Sequence, residues 1–288
     1  MPAIIFALIS YLGWGIGDIF GAIATRKIGA YSTTFWYILL QVPIFAVLVP
    51  FFFGNLQNLT IEILILNMTL GLIGTIGLVA FYEGLKVGNA ALVGTIAASF
   101  AAITVLLSII FLNEHVSFQQ TLAIAIIFIG IVGSTLDVKS LISRKLIIDK
   151  GIWMGLIAML ARGIYWAFIK IPIKELGWFW PGYISVLASL PIIWLFIKLR
   201  EIKLTKLNFK GSFYPLFANA FLLGVGALSF NLAIEKGFTS IVAPIAGSYP
   251  TIFALLAWIV FKDPIARQQI AGILITLVGI VMLSIFSV

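Results

Sequence analysis

The chain reads as a series of long apolar runs separated by short polar connections. The runs fall at about 3–24, 33–53, 63–85, 91–112, 118–137, 151–171, 180–199, 212–234, 239–261 and 266–287. A helix needs roughly 20 apolar residues to cross ~30 Å of hydrocarbon, and each run has about that length. None shows the alternating polarity of a membrane strand. A helix also satisfies its backbone groups within itself, as lipid demands. The pattern therefore predicts an all-α integral membrane protein with ten transmembrane helices. The two longest connections, Asp137 to Lys150 and Lys198 to Lys210, are polar and too short for a soluble domain.

The runs also repeat. Slid by 149 positions, residues 81–136 align without a gap on 230–285. Phe81 meets Phe230, Gly88 meets Gly237, Ser99 meets Ser248, Gln119-Gln120 meets Gln268-Gln269, and Glu114 meets Asp263 at the same turn. Slid by 148, the first helix aligns on the sixth: Leu8-Ile9 on Leu156-Ile157, Gly15-Ile16 on Gly163-Ile164, Gly29 on Gly177. We expect a first five-helix repeat over 1–137, a connecting loop over 138–150 and a second five-helix repeat over 151–288. Five is odd, so the second repeat starts on the opposite side of the membrane, and the repeats are inverted. Inverted repeats are a common architecture of secondary transporters, whose substrate sits near the midplane between the halves.

Composition agrees with a membrane protein and removes several chemistries. Of 288 residues, 62% are hydrophobic and 10% charged, against roughly 25% charged in a soluble domain, so the chain lacks the polar residues to cover a water-facing surface. There is no cysteine and one histidine, His115, which excludes disulfides, thiolate nucleophiles and multi-histidine metal sites. No cofactor is expected. No GxSG elbow or pair of acids at metal spacing points to an intramembrane enzyme. The net charge of +8 raises nucleic acid as a partner, but the basic residues sit in short loops between apolar runs and report topology instead. The odd-numbered connections carry Arg26, Lys27, Lys86, Lys139, Arg144, Lys145, Lys150, the cluster from Lys198 to Lys210, Lys262 and Arg267; the even ones carry Lys170, Lys174 and Lys236. The positive-inside rule then places both termini outside a cell membrane. Met1-Pro2-Ala3 has no basic n-region, so the first run reads as a span and not as a cleaved signal.

Several segments resemble the EamA family of the drug/metabolite transporter superfamily. They are Phe81-Tyr82-Glu83-Gly84-Leu85-Lys86-Val87-Gly88, Phe111-Leu112-Asn113-Glu114, Gly247-Ser248-Tyr249-Pro250-Thr251 with Phe261-Lys262-Asp263, and the opening Gly13-Trp14-Gly15-Ile16-Gly17-Asp18-Ile19-Phe20-Gly21 with Thr25-Arg26-Lys27-Ile28-Gly29. The resemblance covers nearly the whole chain. It implies a ten-helix fold and movement of metabolites with no ATP-binding domain. One departure is Ala101 where the second repeat has Pro250, so a proline kink is expected in only one half.

Charges at membrane depth are costly, at least ~2.5–3.5 kcal/mol on insertion scales, and mark candidate sites. The deepest are Asp18 in the first helix and Arg162 in the sixth. The repeat sets Trp14 opposite Arg162 and Asp18 opposite Trp166, and each pair is spaced i,i+4 on one helix face. We expect both faces to line a central cavity. There Asp18 would attract a cationic group or exchange a proton, and Arg162 would take a carboxylate or phosphate. Trp14, Tyr165 and Trp166 would stack on a ring or hold an ammonium. Tyr82, Glu83, Asn231, Ser248 and Tyr249 would add polar walls, and Pro244 and Pro250 would act in gating by interrupting the ninth helix. The structural alternatives are an Asp18–Arg162 neutralising pair and a Glu83–Lys86 i,i+3 pair. Glu114 and Asp263 read as structural acids beside helix N-termini. Gly71, Gly74, Gly77, Gly224 and Gly226 read as close-packing positions or a sliding surface.

The expectation is a secondary transporter moving a small organic metabolite, amino-acid-like or otherwise polar and aromatic, by alternating access. Protons are the coupling ion that Asp18 or Glu83 would suit. The partners are a small-molecule substrate and the lipid bilayer, and one chain holds the whole pseudo-symmetric interface, so a monomer suffices. The alternatives are a lipid-linked-substrate flippase and a channel.

Overall fold

The structure, a computed structural model, describes residues 1–88, 90–135, 150–208, 211–262 and 265–287. Asp263 and almost all of the connection 138–150 lie outside the described residues. The described residues form helices α1 (Pro2–Ile28), α2 (Ala30–Ala46), α3 (Val49–Phe52), α4 (Ile61–Val87), α5 (Ala90–Ala98), α6 (Phe100–Phe111), α7 (Phe118–Thr135), α8 (Lys150–Phe168), α9 (Lys170–Leu176), α10 (Phe179–Leu199), α11 (Phe213–Lys236), α12 (Thr239–Gly247), α13 (Pro250–Phe261) and α14 (Arg267–Phe286). No strand occurs among them. Among the described residues nine helices are long and apolar enough to cross a membrane, and the pair Ala30–Ala46 and Val49–Asn58, bent by 58°, brings the number to ten when counted as one span. The protein is an all-α, multi-pass integral membrane protein.

Aligned positions of the two halves have the same local structure. Gly29 and Gly177 end the first and sixth spans with φ of 80° and 72°. Only glycine takes that conformation without strain, and it turns the chain sharply into the next helix. Asn113 and Lys262 both take a left-handed φ, at 53° and 58°, where the fourth and ninth spans end. Those two spans are each interrupted at the aligned serines, Ser99 between α5 and α6 and Ser248 between α12 and α13. A proline kink in only one half was expected, yet both helices break. At both breaks a serine bonds back one turn: Ser99 Oγ donates to Thr95 O at 3.0 Å and Ser248 Oγ donates to Pro244 O at 2.6 Å. Such back-bonding competes with the helical ladder and bends it.

Small residues let the halves approach closely, and they do so reciprocally. A Cβ added to Gly77 would lie 3.2 Å from Arg162 Cγ, and one added to Gly226 would lie 2.4 Å from Trp14 Cδ1. A Cβ on Gly15 would meet Ile252 Cβ at 2.6 Å, and one on Gly163 would meet Ile103 Cβ at 2.5 Å. Gly88 faces Gly151 as Gly237 faces Ala3. In each case a helix of one half meets a helix of the other, and the aligned residues exchange roles. Thus α1 packs on α11, α4 packs on α8, and α7 crosses α14. With no hydrophobic drive between helices in lipid, this contact rests on van der Waals packing of backbones that glycine allows to come near.

Candidate functional site

Between the halves lies a cavity of about 730 Å³. Its walls come from α1, α2, α4, α5, α7, α8, α10, α11, α13 and α14. It reaches the face opposite the N-terminus, where Thr25, Leu85, Thr95, Thr135 and Gln269 line it. At its inner end sits an aromatic floor. Trp14 lies with its ring centroid 5.0 Å from Trp166, 5.5 Å from Phe230 and 5.7 Å from Tyr249, and Tyr165 meets Trp166 at 4.7 Å. Beyond the floor the protein is solid: Ala7, Tyr11, Ile169, Ile173, Ile241 and Ile245 are buried together.

The two intramembrane charges face this space. Arg162 rests its guanidinium over the Phe100 ring at 4.5 Å and donates to Tyr249 Oη at 3.5 Å. Phe100 and Tyr249 are themselves aligned positions of the repeat, so the guanidinium sits at the junction of the two interrupted helices. Asp18 is within electrostatic reach of Arg162 but forms no ion pair with it within 4 Å, and among the described residues its carboxylate has no hydrogen-bond partner. The expected neutralising contact is therefore absent. An acid and a base are held apart, each with room for a ligand group, in a site where low dielectric strengthens both.

Of the residues singled out in the sequence, Trp14, Asp18, Tyr82, Arg162, Tyr165, Trp166, Asn231, Tyr249 and Pro250 line the cavity. Glu83, Ser248 and Pro244 do not. The Glu83 carboxylate accepts from Tyr31 Oη and forms no ion pair with Lys86. Ser248 is fully buried, its hydroxyl turned to Pro244 O. Glu114, read from the sequence as an acid beside a helix N-terminus, does not cap the helix that follows it. Its carboxylate takes the N–H groups of Thr239 and Ser240, at the start of α12 in the other half.

Sequence reasoning missed the second-helix wall. Thr33, Tyr37, Gln41 and Phe45 all line the cavity. Their spacing of four places them on one helix face, so three polar groups recurring every fourth residue of an apolar run was the available signal. Tyr37 lines the same cavity as Asp18 and Arg162. Thr75, Ser185, Ser189 and Asn219 complete the polar lining, the last donating to Gly17 O at 2.9 Å.

A membrane-embedded cavity lined by convergent polar groups is the kind of site a solute-handling membrane protein uses. The chain belongs to the EamA-like transporter family, which it matches over residues 1–136 and again over 149–285. It is accordingly a membrane transporter of small solutes, and the family's members are transporters and not enzymes. An uncharacterized protein of Methanocaldococcus jannaschii is 29% identical over 137 residues, covering 48% of this chain and 98% of that relative. A solved crystal structure shares the fold with a TM-score of 0.78 at 12% identity, covering 99% of this chain and 97% of the other.

Proposed function

We propose that the protein is a secondary transporter that moves a small organic metabolite by alternating access between two inverted five-helix units. The reading rests chiefly on one observation: an acid and a base that face a common cavity without pairing with each other. A solute carrying both an ammonium and a carboxylate would bridge Asp18 and Arg162, and its apolar or aromatic part would lie on Trp14, Tyr165, Trp166 and Tyr249. Tyr82 and Asn231 would add polar contacts. Support for the inverted units comes from the reciprocal glycine contacts and from helix breaks at aligned serines, since discontinuous helices in corresponding positions accompany such sites. A relative of about half this chain's length is consistent with a duplicated unit. Pro244 and Pro250 flank the break in the second half and would serve as its gating hinge.

Asp18 is the better proton carrier of the two acids, because it faces the cavity while Glu83 is held by Tyr31. The charge bias puts both termini outside a cell membrane, so the cavity mouth described above would face the cytoplasm.

A thermal-shift screen of the purified protein against amino acids, nucleobases, sugars and quaternary ammonium compounds tests the site, because a ligand bound only by the folded state raises apparent stability. We expect a hit that is lost in Asp18→Asn and in Arg162→Gln. A hit unaffected by either substitution refutes the assignment of the charges. Uptake of that solute whose pH dependence survives in the Asp18→Asn, Glu83→Gln double variant refutes proton coupling.

One observation favours a flippase instead. A crevice of about 340 Å³ between α2 and α11, lined by Ile44, Val47, Leu48, Phe217, Phe221, Val225 and Leu228, shares the Phe45 wall with the central cavity. A lipid-linked substrate would leave the cavity through that wall. Lipids shifting the melting temperature where no soluble compound does would put this reading first.

A further inference from the structure

The end of the cavity near the N-terminus is closed by successive layers of different character. The aromatic floor comes first, and behind it the apolar plug around Ala7, Tyr11 and Ile241. Beyond the plug lies a polar seam between the halves. Glu114, from the first half, pairs with Lys170 of the second at 2.7 Å, with side chains only 3% and 12% exposed. The same carboxylate accepts the N–H groups of Thr239 and Ser240 at 2.8 and 2.7 Å, and Lys170 also donates to Gly237 O at 2.7 Å. Every residue of α12 is buried. One acid of the first half therefore holds both the base and the helix start of the second, at the positive end of the helix dipole.

At the seam itself Thr239 Oγ1, in a residue with no exposure, has no hydrogen-bond partner among the described residues. A permanently closed contact gains little from this chemistry. A buried ion pair is often no better than apolar residues of the same shape, because both charges lose their water, and an orphaned hydroxyl costs its full desolvation. A contact that opens to water recovers those costs as it opens. An apolar seam would instead resist wetting.

We propose that Glu114 and Lys170 gate the second mouth of the transport path, closed in this conformation while the mouth at Thr25, Thr95 and Gln269 stands open. The proposal rests on the alternating-access reading and adds to it where the path leaves the protein and which residues must part. The pair stabilises the conformation described here. Its loss shifts the population toward the conformation with the Thr239 end open and the Ala254 end closed.

The chain has no cysteine, so single reporters are clean. Thr239→Cys reports the seam, and Ala254→Cys, on the cavity wall, reports the open mouth. Each is placed in the full chain in lipid nanodiscs, where a soluble maleimide reaches both faces, with and without Lys170→Ala. We expect Lys170→Ala to raise labelling at Thr239→Cys by roughly tenfold or more, because the buried Glu114 carboxylate then loses its counter-charge and keeps only the two backbone N–H groups. Labelling at Ala254→Cys falls in the same protein. Lys170→Arg, which keeps the charge, restores both rates. A fall at Ala254→Cys with no rise at Thr239→Cys misplaces the gate and leaves alternating access standing. A rise at both sites is general loosening, and no change at either is a static clamp; each overturns the proposal.

Discussion

Gly226 is the notch that receives Trp14, and filling it has a calculable consequence. A Cβ added there would lie 2.4 Å from Trp14 Cδ1, 2.7 Å from Nε1 and 3.2 Å from Cγ. Carbon atoms reach their best separation at about 3.5–4.0 Å, so the indole must retreat by ~1 Å or more. It cannot retreat freely, because Trp166, Phe230 and Tyr249 pack around it and only 6% of the residue is exposed. Overpacking of this kind costs about 1–3 kcal/mol. The gain in helix propensity from glycine to alanine returns about 0.5–1 kcal/mol. The net of about 0.5–2 kcal/mol, at about 2–4 °C per kcal/mol, should lower the apparent melting temperature of Gly226→Ala by about 1–8 °C. The retreating indole also moves into the cavity floor, so affinity for the screened ligand should fall by roughly tenfold, equivalent to about 1.4 kcal/mol. Gly94→Ala is the matched control. Gly94 lines the same cavity, but nothing lies within 4 Å of an added Cβ, so its melting temperature should hold or rise. Melting curves of the two purified variants in one detergent decide the matter. Equal melting temperatures would refute the account of Trp14 as clamped.

Three further predictions follow from the packing and the charges. Gly272→Ala should be more damaging than Gly226→Ala, since its Cβ would lie 2.2 Å from Ser134 N and 2.5 Å from Gly133 C. Backbone atoms cannot turn aside, so α7 and α14 must separate, and recovery of folded protein by size-exclusion chromatography should drop sharply. Tyr37→Phe removes a hydroxyl from the wall of the cavity that holds both charges and should weaken binding of the screened ligand by roughly tenfold with the melting temperature unchanged; unchanged affinity would remove the second helix from the site. Burial pushes the Glu114 carboxyl up, but the hydrogen bond from Lys170, the N–H of Ser240 and the Lys170 charge outweigh it, so the group is held below the usual carboxylate range. A depressed native value contributes stability that is present above the unfolded value and is lost as pH falls toward the native one. The melting temperature of the wild type should therefore fall on acidification through and below the usual carboxylate range. Glu114→Gln should show a lower melting temperature at neutral pH and a flatter acid limb, and parallel acid limbs would contradict the assignment.

Much of the architecture was present in the order of residue types. The apolar runs set the spans, because ~30 Å of hydrocarbon fixes both the length and the helical form of a crossing segment. Described helices such as Ile61–Val87 and Phe179–Leu199 fall where the runs at 63–85 and 180–199 place them. The internal match exposed the repeat in rare residues, and Gly29 with Gly177 shows why such pairs are informative: both sit at positive φ, where side chains are strained. The pairing of Asp18 and Trp14 with Arg162 and Trp166 was legible too, since i,i+4 spacing on aligned helices needs only helix geometry.

Tertiary structure decided which of these faces look at one another. No spacing within a single helix tells whether Asp18 and Arg162 touch or stand apart, since they lie on different helices and their separation depends on how closely the glycines let α1, α4, α8 and α11 approach. The same holds for Glu83, which pairs with Tyr31 on a neighbouring helix and not with Lys86 one turn away. Glu114 read as an acid beside its own next helix, while the fold carries it to the start of α12 in the opposite half. The break at Ser99 was unreadable from proline alone, because that half has Ala101 where the other has Pro250 and still breaks at the aligned serine. Local sequence fixes what is short in range, namely span length, helix face and turn; the contacts between halves join residues dozens to more than two hundred positions apart, and only the packing of the helices selects among them.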